Sequence, residues 1–234
     1  MKDVPHILLV NPWIHDFAAY DFWAKPLGLL TLAALLRSHG LSVSYLDCLD
    51  RFHPKTNAGN PSARYGRGPY LKTQIAKPPG LNDVQRTFCR YGIKPRWFRE
   101  DLQALQPPDL ILVTSLMTYW YGGVQETIAA LRALFADTMI FLGGIYASLC
   151  DSHAAANSGA DHIFSGPAED HVFELIARNT GFSATPRFNP QQLDSYPYPA
   201  LDLQSHINYV PLLTSRGCPF NCAYCASHFL PIWN

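Results

Sequence analysis

Between residues 6 and 181, short apolar runs alternate with stretches of helical periodicity, an order that few layer architectures accept. The first run, from His6 to Val10, stops at Asn11-Pro12. Pro26 then stands where a first helical turn tolerates it, and a helix from Leu27 to Ser38 closes at His39-Gly40. A second run spans Leu41 to Leu46, and a third, Leu110 to Thr114, follows the Pro107-Pro108 breaker. Val124, Ile128, Leu131 and Phe135 recur at helical spacing and predict one buried face. Met139 to Leu142 is the fourth run, closed by Gly143-Gly144, with a helix through about Asn157. His162 to Phe164 is the fifth, followed by Gly166 and a helix from His171 to Arg178.

Apolar runs without polar alternation, separated by helices, belong in a parallel sheet covered on both faces. The expectation is an α/β fold with a five-stranded, doubly wound, flavodoxin-like (Rossmann-like) sheet over residues 1–181. Such sheets bind ligands beyond the carboxyl ends of their strands, at the switch point. Residues 182–210, with Pro186, Pro190, Pro197 and Pro199, read as a polar linker wrapped against its neighbours.

Residues 51–96 interrupt the alternation. They carry ten Lys or Arg against one acidic residue, Asp83, and are punctuated by six prolines and five glycines. So long a connection is not an ordinary turn. The run before it ends at the ligand-binding edge, so the segment is expected to cap that edge. Its charge has three readings: a solvated loop paired with acidic residues elsewhere, a complement to a phosphate-bearing cofactor or anionic substrate, or a nucleic-acid groove. The last rests on the interleaved Phe52, Tyr65, Tyr70, Phe88 and Tyr91.

Near the carboxyl end, Leu212-Leu213-Thr214 reads as a short strand delivering Cys218, Cys222 and Cys225. Their spacing, Cys-x-x-x-Cys-x-x-Cys, can turn three thiolates toward one iron–sulfur cluster and leave a fourth iron without a protein ligand. Two plainer readings stand beside it. His228 can complete a structural zinc site, although zinc ligands usually come as two separated pairs; or the thiols are simply reduced.

With Thr214-Ser215-Arg216-Gly217 leading in, Pro219 after the first cysteine and Tyr224 before the third, this stretch resembles the radical S-adenosylmethionine (radical SAM) enzymes. The resemblance implies that Cys218, Cys222 and Cys225 hold a 4Fe-4S cluster and that Tyr224 lies beside the adenine of S-adenosylmethionine. In that family the cosubstrate chelates the open iron and is cleaved to a 5'-deoxyadenosyl radical that takes hydrogen from the substrate. An electron donor such as flavodoxin or ferredoxin is implied as partner. Only nine residues follow Cys225, so the chain is expected to contain the first strand and cluster loop of a partial barrel, residues 211–234, and little more of it.

A second resemblance rests on Pro26-Leu-Gly-Leu-Leu, on Thr114 to Gly123, on Leu142-Gly-Gly-Ile-Tyr-Ala and on Ser165-Gly-Pro-Ala-Glu169. These segments are similar to the cobalamin-binding domain that precedes many radical SAM domains. The likeness implies a cobalamin edge made by Ser115, Leu116, Met117, Thr118, Gly143, Gly144, Ser165, Gly166 and Glu169. Gly143 and Gly144 would let backbone approach a flat macrocycle, and Ser115 and Thr118 would hydrogen-bond its amides or tail; the plainer reading is that the glycines are strand-to-helix turns. The Asp-x-His-x-x-Gly motif of methyltransferase-type cobalamin domains is absent, since the first loop reads Trp13-Ile-His15-Asp16-Phe-Ala. Asp151-Ser152-His153 reads as a capped helix start. Any cobalamin is therefore expected without a histidine lower ligand.

Eighteen basic and eighteen acidic residues cancel, leaving no global pull toward nucleic acid or anionic membrane. The stretch from Leu27 to Leu36, interrupted by Thr31, is well short of the roughly 20 apolar residues of a membrane span. The first residues lack a signal peptide's apolar run, and the scattered Cys48, Cys89 and Cys150 suit a reducing cytosol. The implied parent reaction is radical methyl transfer or rearrangement on a substrate that is a small molecule or unknown. The competing reading is a non-catalytic flavodoxin-like binding module with a Cys/His zinc tail that contacts RNA through its basic insertion.

Overall fold

The computed structural model describes residues 4–57, 59–215, 217, 218, 220 and 222–226. Six consecutive buried residues form β1, His6–Asn11. Two short strands follow, β2 (Ile14–Asp16) and β3 (Tyr20–Asp21), then α1 (Leu27–Ser38) and β4 (Ser42–Asp47). The insertion contains β5 (Gly68–Pro69), β6 (Lys72–Gln74) and β7 (Cys89–Tyr91), and leads into α2 (Pro95–Gln103). The chain continues through β8 (Leu110–Val113), α3 (Tyr121–Leu134) and β9 (Met139–Leu142). The remaining elements are α4 (Ile145–Leu149), α5 (Asp151–Asn157), β10 (His162–Ile163) and α6 (Val172–Thr180).

Five of these strands make one sheet in the order β10-β9-β8-β1-β4, every pair parallel. Numbered by sequence, that order is 2-1-3-4-5, the flavodoxin-like layout whose switch point lies between the first and third strands. Period-two alternation divides the core. Leu8, Val10, Ile111, Val113, Ile140 and Leu142 face a layer containing Trp97, Phe98, Val124, Ile128, Leu131 and Tyr146. Ile7, Leu9, Leu110, Leu112 and Phe141 face the other layer, where α1 supplies Leu29, Leu32 and Leu36 and α6 supplies Val172, Phe173 and Ile176. Each of these side chains, fully buried, contributes about 1.5–3 kcal/mol.

Several expected boundaries move. The helix after Gly143-Gly144 is two helices, broken at Cys150, whose φ of −134° and ψ of 47° lie outside the helical region. The fifth strand shrinks to His162–Ile163. The insertion is not a plain loop: β7 bridges β2 and β6, and β3 pairs with β5, both antiparallel. Residues 14–21, just past β1, thus supply the partner strands. Residues 182–210 do more than link, because Ala200 is buried in the core beside α1 and its N–H donates to Leu30 O (3.0 Å). Leu212-Leu213-Thr214, expected as a strand, has no ladder partner among the described residues and no regular structure, and Leu212 is exposed. A strand persists where its backbone groups are paired, and the expected run Leu212-Leu213-Thr214 is not.

Candidate site at the switch point

Because β1 leads outward to β4 while β8 leads to β9, the two central chain ends diverge past the carboxyl edge and leave a crevice. A cavity of about 460 Å³ occupies it. Leu112, Val113 and Phe141 contribute its sheet side, and Pro26, Leu27, Gly28 and Leu29 the first turn of α1. Pro167, Ala168, Glu169 and Val172 line it ahead of and within α6. Tyr20, Leu49, Tyr70 and Trp120 close in from the loops, so the insertion reaches the edge as expected. The lining is mainly apolar, with Asn11, Lys25, Ser115 and Glu169 as polar points, the composition of a small-molecule site.

Six of the nine expected edge residues line this cavity: Ser115, Leu116, Gly143, Gly144, Gly166 and Glu169. Met117, Thr118 and Ser165 are not among its lining residues; Met117 and Ser165 are exposed, and Thr118 opens a short 3-10 turn ending at Trp120. Ser115 serves the fold first. Its hydroxyl donates to the Gly143 carbonyl (2.6 Å) and accepts from the Ala147 N–H (3.3 Å), while its carbonyl accepts from Ile145 N–H (2.9 Å). These bonds clamp the β8 and β9 ends together.

The two glycines differ in kind. Gly144 has φ +94°, and a Cβ on it would stand 2.2 Å from the Ser115 carbonyl oxygen, so the turn itself requires glycine. A Cβ on Gly143 would find nothing closer than 3.9 Å, and one on Gly28 nothing within 4 Å. Both line the cavity. The protein therefore leaves open space over two glycines whose backbone needs no such freedom.

Residues that periodicity does not reveal complete the surroundings. Lys25 lies 5.1 Å over the Tyr209 ring. Burial pushes the Asp47 carboxyl above its ordinary value, opposed by the Lys25 charge and by the Asn11 hydrogen bond (2.7 Å). Lys25 and Asp47 also line a second, smaller cavity of about 200 Å³ with Asp50 and His53. Asp21 is buried, paired with Arg51 (3.0 Å), and accepts from the Tyr209 hydroxyl (2.6 Å); burial and that carboxylate push the Tyr209 phenol far up. His15, on β2, is bonded to Glu126 (2.7 Å).

Three of the insertion's ten basic residues, Arg51, Lys55 and Arg90, are ion-paired with carboxylates among the described residues. The reading of a loop neutralised from elsewhere thus holds for those three. No helix among the described residues is long and apolar enough to cross a membrane.

Cys222 and Cys225 share one turn, the Cys225 N–H donating to the Cys222 carbonyl (3.0 Å), and no cysteine is in a disulfide. Among the described residues no three His, Cys, Asp or Glu side chains are gathered as a metal ion requires. Tyr224 is 92% exposed. Arg216, Pro219, His228 and the apolar residues 229–233 lie outside the described residues. The fold is an α/β protein with a mainly apolar cavity at its sheet switch point. No protein-family model matches the chain, and no curated protein matches it.

Proposed function

We propose that this chain is the cofactor-binding part of a radical SAM enzyme, with a 4Fe-4S cluster on Cys218, Cys222 and Cys225 and cobalamin at the switch-point edge. The observation that carries the reading is the combination of the Cys-x-x-x-Cys-x-x-Cys spacing with a flavodoxin-like sheet whose carboxyl edge opens on an apolar cavity. The donor set fits a cluster chemically, since three thiols fall within eight residues and leave one iron open. The edge fits a large flat cofactor in one respect, the uncovered backbone at Gly143 and Gly28. At about 460 Å³ the cavity admits an appendage of cobalamin and not the whole molecule.

When bound, the cluster supplies an electron to S-adenosylmethionine and cobalamin supplies a methyl carrier, which suits radical methyl transfer or rearrangement. The chain's own contribution is to bind and orient. Gly143 and Gly28 admit the cofactor, Leu112, Val113 and Phe141 exclude water, Glu169 and Lys25 offer polar contacts, and Tyr224 is available to stack on an adenine. Substrate and electron donor are recognised elsewhere in this reading.

Anaerobic reconstitution with iron and sulfide tests the cluster. The expected product is brown, with a 4Fe-4S paramagnetic signal on reduction that Cys222→Ala abolishes. Colourless protein holding one zinc overturns it in favour of the structural zinc tail. Titration with cobalamin tests the edge: a spectral change and co-elution on gel filtration support it, and their absence overturns the vitamin-binding half.

A further inference from the structure

The Tyr20–Trp23 segment and the turn before β5 meet in a surface that the cofactor reading does not use. Residues 64–66 form a left-handed turn, with φ values of 53°, 57° and 83° for Arg64, Tyr65 and Gly66, and Trp23 beside them has φ 65°. Non-glycine residues adopt that region singly and seldom in succession. Such backbone persists where its surroundings over-determine it, and it clusters at ligand clamps.

The turn is held from beneath. Arg51 and the Asn208 amide both donate to the Gly66 carbonyl, Arg51 also donates to the Arg67 carbonyl (3.2 Å), and β3 pairs with β5. A Cβ on Gly66 would sit 2.6 Å from the Asn208 carbonyl, so the glycine is packed against the backbone at Asn208.

The outer side is aromatic and basic. Tyr65 is 83% exposed, Phe22 61% and Trp23 46%. The Trp23 indole N–H donates to the Tyr65 carbonyl (3.0 Å), and the Arg67 guanidinium lies 4.9 Å from the Trp23 ring. Arg64 donates to the Tyr20 hydroxyl (3.0 Å), and Tyr20 and Phe22 have ring centroids 4.7 Å apart. Neither Arg64 nor Arg67 has a carboxylate partner among the described residues, and the exposed Lys72 and Arg86 in the same insertion have none either. Tyr20 also lines the switch-point cavity, so the surface borders its rim.

We infer that Tyr20, Phe22, Trp23, Arg64, Tyr65 and Arg67 form a rigid platform for single-stranded nucleic acid. Exposed rings interleaved with guanidinium groups match a polymer that alternates flat bases with phosphates, and such platforms are sequence-tolerant because every base has a π-face. Fixed backbone beneath the rings lowers the ordering cost of binding. The proposal does not depend on the cofactor reading.

The test is fluorescence anisotropy of the full chain, without cofactors, against short labelled oligouridine and oligothymidine at several salt concentrations. Saturable binding that weakens with salt is expected. Tyr65→Ala, which removes a ring on a residue that is 83% exposed, should weaken it about tenfold. Arg64→Gln with Arg67→Gln should flatten the log–log salt slope by about 1.4, at roughly 0.7 per phosphate contact, while Arg178→Gln on α6 should change neither quantity. Circular dichroism checks that each variant is folded. Absence of saturable binding at low salt overturns the proposal, as does binding indifferent to Tyr65→Ala and to the double arginine variant. A dimer in sedimentation that Tyr65→Ala dissociates also overturns it, since a second copy then covers the surface.

Discussion

At the scale of single residues, neighbouring positions of the same type carry different burdens. Gly143-Gly144 reads as one turn signal in the sequence, yet only Gly144 combines φ +94° with a Cβ direction blocked by Ser115 backbone. Gly144→Ala should destabilise by at least about 3 kcal/mol, whereas Gly143→Ala should stay within about 1 kcal/mol of wild type; urea unfolding of both variants decides it. Glu126 offers a pH readout. Burial raises its carboxyl, but the His15 hydrogen bond and the Arg90 charge outweigh that and hold it below its ordinary 4.5. A carboxylate held low stabilises the folded state fully above 4.5 and ceases to do so as pH falls through its lower folded value. The stability gap between wild type and Glu126→Gln should therefore be about 1 kcal/mol at neutral pH and close in acid. Unfolding curves with a gap unchanged down to acid pH would contradict this assignment. No local pattern marked Glu126, because its partners His15 and Arg90 belong to β2 and β7, far apart in sequence.

At the scale of elements, the strand and helix periods of the main sheet were legible because each run buries its own face. Leu29, Leu32 and Leu36 announce α1, and the apolar run of β1 announces a central strand. The insertion was not legible. Its strands are two or three residues long and pair with residues 14–21, which lie on the other side of α1 and β4. Charge counting there suggests pairing with acidic residues elsewhere, and the structure supplies one such partner for Arg51 in the buried Asp21, whose position no local pattern reveals. Arg51→Met should cost about 3–5 kcal/mol, because it leaves a buried carboxylate uncompensated, and should speed amide exchange at residues 64–68 ahead of β1. Exchange that accelerates uniformly across the chain would assign Arg51 to global stability and not to the insertion. The run Leu212-Leu213-Thr214 errs the other way: its composition suits a strand, but no neighbour completes a ladder.

At the scale of the whole molecule, the 2-1-3-4-5 order places β1 beside β8, and from that adjacency the cavity follows. Filling it from Gly28, where a Cβ meets nothing within 4 Å and which lines the cavity, should leave the melting temperature of Gly28→Phe close to wild type while abolishing cobalamin retention on gel filtration. A variant that still retains the vitamin would move its site away from this crevice. The sequence by itself determined the sheet's class, the α1 and α3 core stripes, the edge loops and the cysteine spacing, because each depends on residues close together along the chain. Only the tertiary structure decided which edge residues reach the cavity, that Ser115 is committed to the Gly143 carbonyl, and that Tyr20, Tyr70 and Trp120 enclose the site. These depend on contacts between segments as much as a hundred residues apart, whose geometry is set by strand pairing and packing of the completed core and by no local preference.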